Sequence, residues 1–226
     1  TTRPCTLKNM PLIEDVFSML DILKSMGSEV LWLEERTVRI VNKDIDPGKI
    51  DNSSVEKIRA SILFVGPLLA RFGSVRIATP GGCLIGVRPI DAHLDALKDL
   101  GAEVDFDEKA DIYEIKAPKK WGNKVILKEL SVTATENLMM LGALLPSLEI
   151  QLAAAEPHVE DLGKFLKLLG VKIEGLRGYE LFINGSARLT TRGTKYPRGR
   201  PARRSLGAGG AVTFRIMNDM IEAGTF

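Results

Sequence analysis

Residues 90–106 read IDAHLDALKDLGAEVDF, and this stretch decides the fold. Leu94, Leu97 and Leu100 recur at helical spacing and would share one face. Gly101 then stands where a helix C′ position favours a residue without Cβ. Beyond it EVDFD alternates in the manner of a short strand. The same pattern occurs twice more, as VFSMLDILKSMGSEVLW over 16–32 and VEDLGKFLKLLGVKIEG over 159–175. The three glycines, Gly27, Gly101 and Gly170, lie 74 and 69 residues apart. A self-similar unit of about seventy residues outranks any local motif in reading a fold.

Each unit continues into a second, more uniformly apolar segment. VEKIRASILFVGPLLARFG (55–73) and TATENLMMLGALLPS (133–147) read as helices apolar nearly all round, hence buried. A third would begin near NDMIEAGTF. Strands are expected at EVLWLEE, TVRIVN, VRIAT, EVDFD, YEIKA, KVIL, LEIQLAA, VKIEG and YELFING. The expected architecture is α/β, with sheets packed around central helices in three copies of about 1–73, 74–147 and 148–226.

Composition agrees with a globular chain. Its 226 residues are 45% hydrophobic and 27% charged, enough to bury a core without staples. Two cysteines, Cys5 and Cys83, form no disulfide framework, and two isolated histidines show no zinc spacing. No metal or other cofactor is expected, and a reducing cytoplasm is the expected setting. No apolar run approaches the ~18 residues that span a bilayer, so no membrane partner is expected.

The net charge of +2 conceals an asymmetry. Residues 188–215 carry eight Lys or Arg and no acid, which leaves 23 basic against 29 acidic residues elsewhere, a net of −6. The segment 187–213 is poor in large apolar residues and reads as a disordered insertion. A nucleic-acid arm is disfavoured, because no stacking aromatics or folded motif accompany the arginines.

Chemistry concentrates in TPGGCLIGVRPID, residues 79–91. Gly81 and Gly82 let the backbone turn and approach a ligand. Arg88 supplies a cation near Cys83, and a helix starting at Asp91, with Asp91 as its cap, would supply free amides for an anion. Either influence would lower a thiol pKa and make Cys83 reactive. A buried packing cysteine fits the same spacing equally well.

Residues 57–104, KIRASILFVGPLLARFGSVRIATPGGCLIGVRPIDAHLDALKDLGAEV, closely resemble the UDP-N-acetylglucosamine enolpyruvyl transferases. That family's loop pattern P-G-G-C-x-I-G-x-R-P-x-D is met at every fixed position. LSVTATENLMM, AAAEPHVEDL and MIEAGTF also look like family segments, so the resemblance covers about 5–186 and 214–226. It implies an inside-out α/β barrel related to EPSP synthase, built from three pseudo-symmetric repeats around buried helices. It also implies transfer of enolpyruvate from phosphoenolpyruvate to the 3′-hydroxyl of UDP-N-acetylglucosamine, the first committed step of peptidoglycan synthesis. The substrates would be the partners.

The resemblance gives Cys83 the role of proton donor to the enol carbon and of fosfomycin target. Arg88 would meet the phosphate-bearing ligands, and Pro89, Ile90, Asp91 and Ala92 the uridine end. Arg59 would line the sugar-nucleotide site, and Ser131, Val132 and Thr133 would contact diphosphate and uridine. At that turn the family pattern is Lys-Val-Ser-Val-Gly, whereas this chain has ELSVT, with Glu129 in place of the lysine. Taken alone, Arg59 fits a solvated helix position and Ser131 fits a helix cap. The family's opening Lys-Asn pair would precede residue 1. Its second domain, bearing an Asp base, would follow Phe226, near the interdomain hinge. The expectation is therefore a single-domain fragment (1–186, then 214–226) without turnover of its own. The alternatives are a UDP-sugar-binding module and a transferase acting on shikimate 3-phosphate, which lacks the cysteine loop.

Overall fold

A computed structural model describes residues 3–81, 89–186, 189 and 211–219. In chain order its elements are β1 (Cys5–Lys8), α1 (Glu14–Ser25), β2 (Glu29–Glu34), β3 (Thr37–Val41), α2 (Asn52–Val55), α3 (Val65–Phe72) and β4 (Ser74–Ala78). Then follow α4 (Asp91–Asp99), β5 (Glu103–Asp107), β6 (Ile112–Lys116), β7 (Lys124–Ile126), α5 (Val132–Gly142), β8 (Leu148–Gln151), α6 (Pro157–Leu168), β9 (Lys172–Glu174), β10 (Glu180–Asn184) and β11 (Val212–Arg215). Short 3₁₀ turns cover Pro47–Lys49 and Arg59–Phe64.

The glycine expectation is met in detail. Gly27, Gly101 and Gly170 have φ of 101°, 97° and 95°. Each follows a helical C-cap residue, Met26, Leu100 or Leu169. The three termini share one hydrogen-bond pattern. Gly27 N–H donates to Lys24 O and Ser28 N–H to Leu23 O; Gly101 and Ala102 repeat this to Lys98 and Leu97, and Gly170 and Val171 to Lys167 and Leu166. This pair of bonds satisfies carbonyls that a helix end otherwise leaves bare. A strand begins two residues after each glycine, because the left-handed residue reverses the chain into β2, β5 and β9.

The strands form three sheets, ordered β11-β1-β3-β2, β4-β6-β5 and β7-β8-β10-β9. Within them β2–β3, β5–β6 and β9–β10 are antiparallel pairs, as are β1–β3, β4–β6 and β8–β10. Two pairings, β1 with β11 and β7 with β8, are parallel. Alternation sets which face is buried. Val75 and Ile77 of β4, Leu148 and Ile150 of β8, and Leu181 and Ile183 of β10 all point into the core.

That core is one contiguous cluster, with a small satellite of Met10, Leu20, Val38 and Ile40 under the first sheet. α3 and α5 lie within the main cluster, and Val65, Leu69, Ala134, Met139 and Leu141 are all fully buried. Burying each large one stabilises by about 1.5–3 kcal/mol. Gly66 lets the two helices meet. A Cβ there would collide with Asn137 of α5, so the close approach requires glycine.

Three sequence expectations are corrected. The apolar run 55–73 is not one helix: it is a 3₁₀ turn (Arg59–Phe64) followed by α3. Pro67 explains the break, since it has no N–H for Leu63 O and its ring crowds that carbonyl. The second apolar helix ends at Gly142 rather than near Ser147, and Pro146 follows closely. Asp91 does not cap α4. It occupies the first helical position, the cap is Ile90, and no side chain closes that end. An acid there still complements the helix dipole.

Two strands were not expected, β1 and β11. They pair over four residues each, and Asn9 adds a side-chain bond to Ile216 O at 3.0 Å. β11 straddles the 213/214 boundary drawn from the sequence. The rest of the basic segment, 187–188 and 190–210, lies outside the described residues, as does the third apolar helix beyond Asp219.

Candidate functional site

Cys83 and Arg88 lie outside the described residues. The flanks of their loop are described, and they hold the other candidates together. The loop leaves β4 at Thr79, whose hydroxyl donates to Asp111 at 2.6 Å. It passes Gly81, where a Cβ would strike the Glu56 carbonyl. It returns at Pro89 and runs directly into α4. Arg59, at the start of the 3₁₀ turn, donates from Nη2 to Pro89 O at 2.5 Å. Two positions 30 residues apart in sequence are thereby joined.

Ile90 is buried and Ala92 packs against the core, so both fix the start of α4. Asp91 is exposed. Two residues on, His93 reaches α5: its Nε2 lies 3.0 Å from Thr133 Oγ1. Ser131 is the N-cap of α5, its hydroxyl accepting from Ala134 N–H at 3.3 Å. Val132 packs on the core and Thr133 is half-buried. The structure thus brings Arg59, 89–92 and 131–133 to one place, with the start of α5 facing the start of α4 through His93. Helix starts present free amides and a positive field, which suit an anionic group.

Sequence reasoning missed the polar network beneath these residues. Asn137 is buried in α5 and receives Gly66 N–H on Oδ1 at 2.6 Å. Its Nδ2 donates to Ile62 O at 3.0 Å and lies 3.2 Å from His93 Nδ1. Thr135, fully buried, donates to Ser131 O at 2.8 Å and accepts from Ala154 N–H at 2.9 Å. That bond ties α5 to the AAAEP turn before α6. The histidine pKa is depressed to about 4, first by burial and then by the Arg59 charge. Glu136 is pushed the other way, to about 7, by burial and then by the neighbouring Glu156 carboxylate. One signal for the network was present in the sequence: an amide and a glycine inside otherwise apolar helices need partners.

An open cleft lined by Leu130, Ala154, Ala155, Glu156 and Tyr179 adjoins the Ser131 turn. Glu129 is exposed there. Among the described residues there is no cluster of metal-ligating side chains, and no helix is long and apolar enough to cross a membrane.

Sheet order and the buried helices define an α/β domain of three sheets packed on one core. Residues 1–197 match the family model of EPSP synthase (3-phosphoshikimate 1-carboxyvinyltransferase), and the chain belongs to that family. It is similar to the UDP-N-acetylglucosamine 1-carboxyvinyltransferase of Bradyrhizobium diazoefficiens, at 39% identity over all of this chain and 47% of the relative. It is 41% identical to UDP-N-acetylglucosamine 1-carboxyvinyltransferase 1 of Carboxydothermus hydrogenoformans, again over all of this chain and 48% of the relative. The chain therefore spans about half the length of the curated relatives it matches. Among solved structures, the enolpyruvyl transferase NikO of Streptomyces tendae superposes with a TM-score of 0.75 at 18% identity, covering 100% of this chain and 49% of that one. That likeness concerns the fold alone.

Proposed function

We propose that this chain is the cysteine-loop half of a UDP-N-acetylglucosamine enolpyruvyl transferase, acting in the cytoplasm in peptidoglycan synthesis. The observation that carries this is the joining of Arg59, 89–92 and 131–133 at the facing starts of α4 and α5, in a chain whose curated relatives bear that activity. We read the three sheets of shared strand order, each with its glycine-terminated helix, as three pseudo-symmetric repeats of an inside-out barrel around α3 and α5.

In this reading the start of α5 holds the diphosphate and Ser131, Val132 and Thr133 line it. Pro89 to Ala92 flank the uridine, and Arg59 fixes the returning loop through Pro89 O while its charge faces the sugar nucleotide. Arg88 contacts phosphate through the fork geometry of its guanidinium. Cys83 delivers a proton to C3 of phosphoenolpyruvate while the sugar 3′-hydroxyl adds to C2 and gives its proton to the Asp base of the second half. Return of a C3 proton to the Cys83 thiolate and departure of phosphate from C2 then restore the enol ether. A thiol can exchange a proton near neutral pH, as a general acid must. Closure of a second half over the ligands would exclude water.

The test measures phosphate release with both substrates. The 226 residues alone should bind UDP-N-acetylglucosamine without turnover, and should turn over when joined to the second half of a curated relative. A joined protein that binds both substrates yet releases no phosphate would refute the reading. A further reading, a transferase of shikimate 3-phosphate, draws on the family model that matches residues 1–197. Activity with that substrate in place of the sugar nucleotide would favour it.

A further inference from the structure

Asn137 sits in the middle of α5, where an amide has no local reason to be. Its orientation is nevertheless unambiguous. Gly66 N–H can only donate, so the side-chain atom 2.6 Å away is Oδ1. Ile62 O can only accept, so the atom 3.0 Å from it is Nδ2. The second Nδ2 hydrogen then faces His93 Nδ1 at 3.2 Å, and Nδ1 must offer its lone pair. A neutral imidazole with Nδ1 as acceptor carries its proton on Nε2. Nε2–H therefore donates to Thr133 Oγ1, 3.0 Å away.

The consequence falls on Thr133. Its oxygen is occupied as an acceptor by the histidine, so its own hydrogen is left to donate, and no described residue accepts it. With the opposite tautomer, Nε2 would accept the threonine hydrogen and the hydroxyl would show only lone pairs to an incoming anion. The ring proton thus sets the polarity of the hydroxyl. Gly66 enforces the arrangement, because any side chain there would displace the amide that reads it.

We propose that Asn137 is a positioning residue that, through His93, commits the Thr133 hydroxyl as a hydrogen-bond donor to an anionic oxygen of a nucleoside diphosphate at the start of α5. This rests on the reading of residues 131–133 as the diphosphate contact.

Long-range proton–nitrogen correlation spectra of the 226-residue chain at pH 7 test it. The chain has two histidines, and a His158→Gln variant assigns them. His93 should show the neutral Nε2–H pattern. An Nδ1–H, cationic or tautomer-averaged ring would overturn the proposal. In Asn137→Asp the carboxylate should draw a proton onto Nδ1. If that variant does not fold, the unmodified ring and a Thr133 pair decide. Thr133→Ser should keep affinity for UDP-N-acetylglucosamine within about twofold, and Thr133→Val should weaken it about tenfold, the scale of one hydrogen bond to a charged group. Uridine, which lacks phosphate, should bind both variants alike. Equal loss in Ser and Val, or none in Val, would overturn the donor role. If the unmodified chain binds no UDP-N-acetylglucosamine, the reading of the site fails, and the tautomer alone judges Asn137.

Discussion

Replacing Glu136 with Gln should stabilise the protein, and only above mildly acidic pH. Glu136 lies on α5, largely buried, with Glu156 at the start of α6 as its charged neighbour, and its pKa rises from 4.5 to about 7. A group whose folded pKa is raised holds its proton more tightly in the folded state. Between pH 4.5 and 7 the unfolded chain releases that proton while the folded chain keeps it, so stability falls as pH rises through this window. At about 1.4 kcal/mol per pH unit the full loss is about 3 kcal/mol, complete above pH 7. Gln resembles the protonated acid and never carries the penalty. Urea unfolding of the two proteins should therefore coincide near pH 4.5. They should separate by about 1.5 kcal/mol at pH 5.5–6 and by 2–3 kcal/mol at pH 8. A gap that does not change with pH would show that Glu136 titrates normally and would refute the reasoning. A gap of opposite sign would show that the carboxylate is stabilised by a partner.

Thr135→Val should cost about 1–3 kcal/mol in denaturant unfolding, because it strands the buried Ala154 N–H that Thr135 now satisfies; a neutral result would mean that water fills the role. Gly170→Ala should cost about 1–2 kcal/mol in the same assay, since φ of 95° is adverse to a residue with Cβ. Ser131→Ala should cost about 1 kcal/mol through the lost cap. In a joined two-half enzyme, Cys83→Asp should retain turnover and resist fosfomycin, and Cys83→Ala should lose turnover; equal rates for all three would end the acid role.

The helix–glycine–strand units were legible because their signal is local. Periodicity marks the helix, and the C′ glycine marks its end within one residue. Nine strands followed from alternation. β1 and β11 did not: β11 pairs with β1, more than 200 positions away, and β1 shows its strand character only where it bridges β11 to β3. The break at Pro67 was legible in principle, but the apolar run on both sides of it outweighed a single residue. At the site, the family-like positions were named from motifs. The network below them was not, because His93 and Asn137 stand alone in sequence and acquire meaning only when α3, α4 and α5 meet. Asp91 was misassigned as a cap because composition cannot separate the cap from the first helical position.

Titration calorimetry of the 226-residue chain with UDP-N-acetylglucosamine, run beside shikimate 3-phosphate, tests the central claim most directly. The account predicts saturable one-to-one binding of the sugar nucleotide, weakened by Arg59→Ala, and no binding of shikimate 3-phosphate. Binding of shikimate 3-phosphate in its place, or of neither, would contradict it.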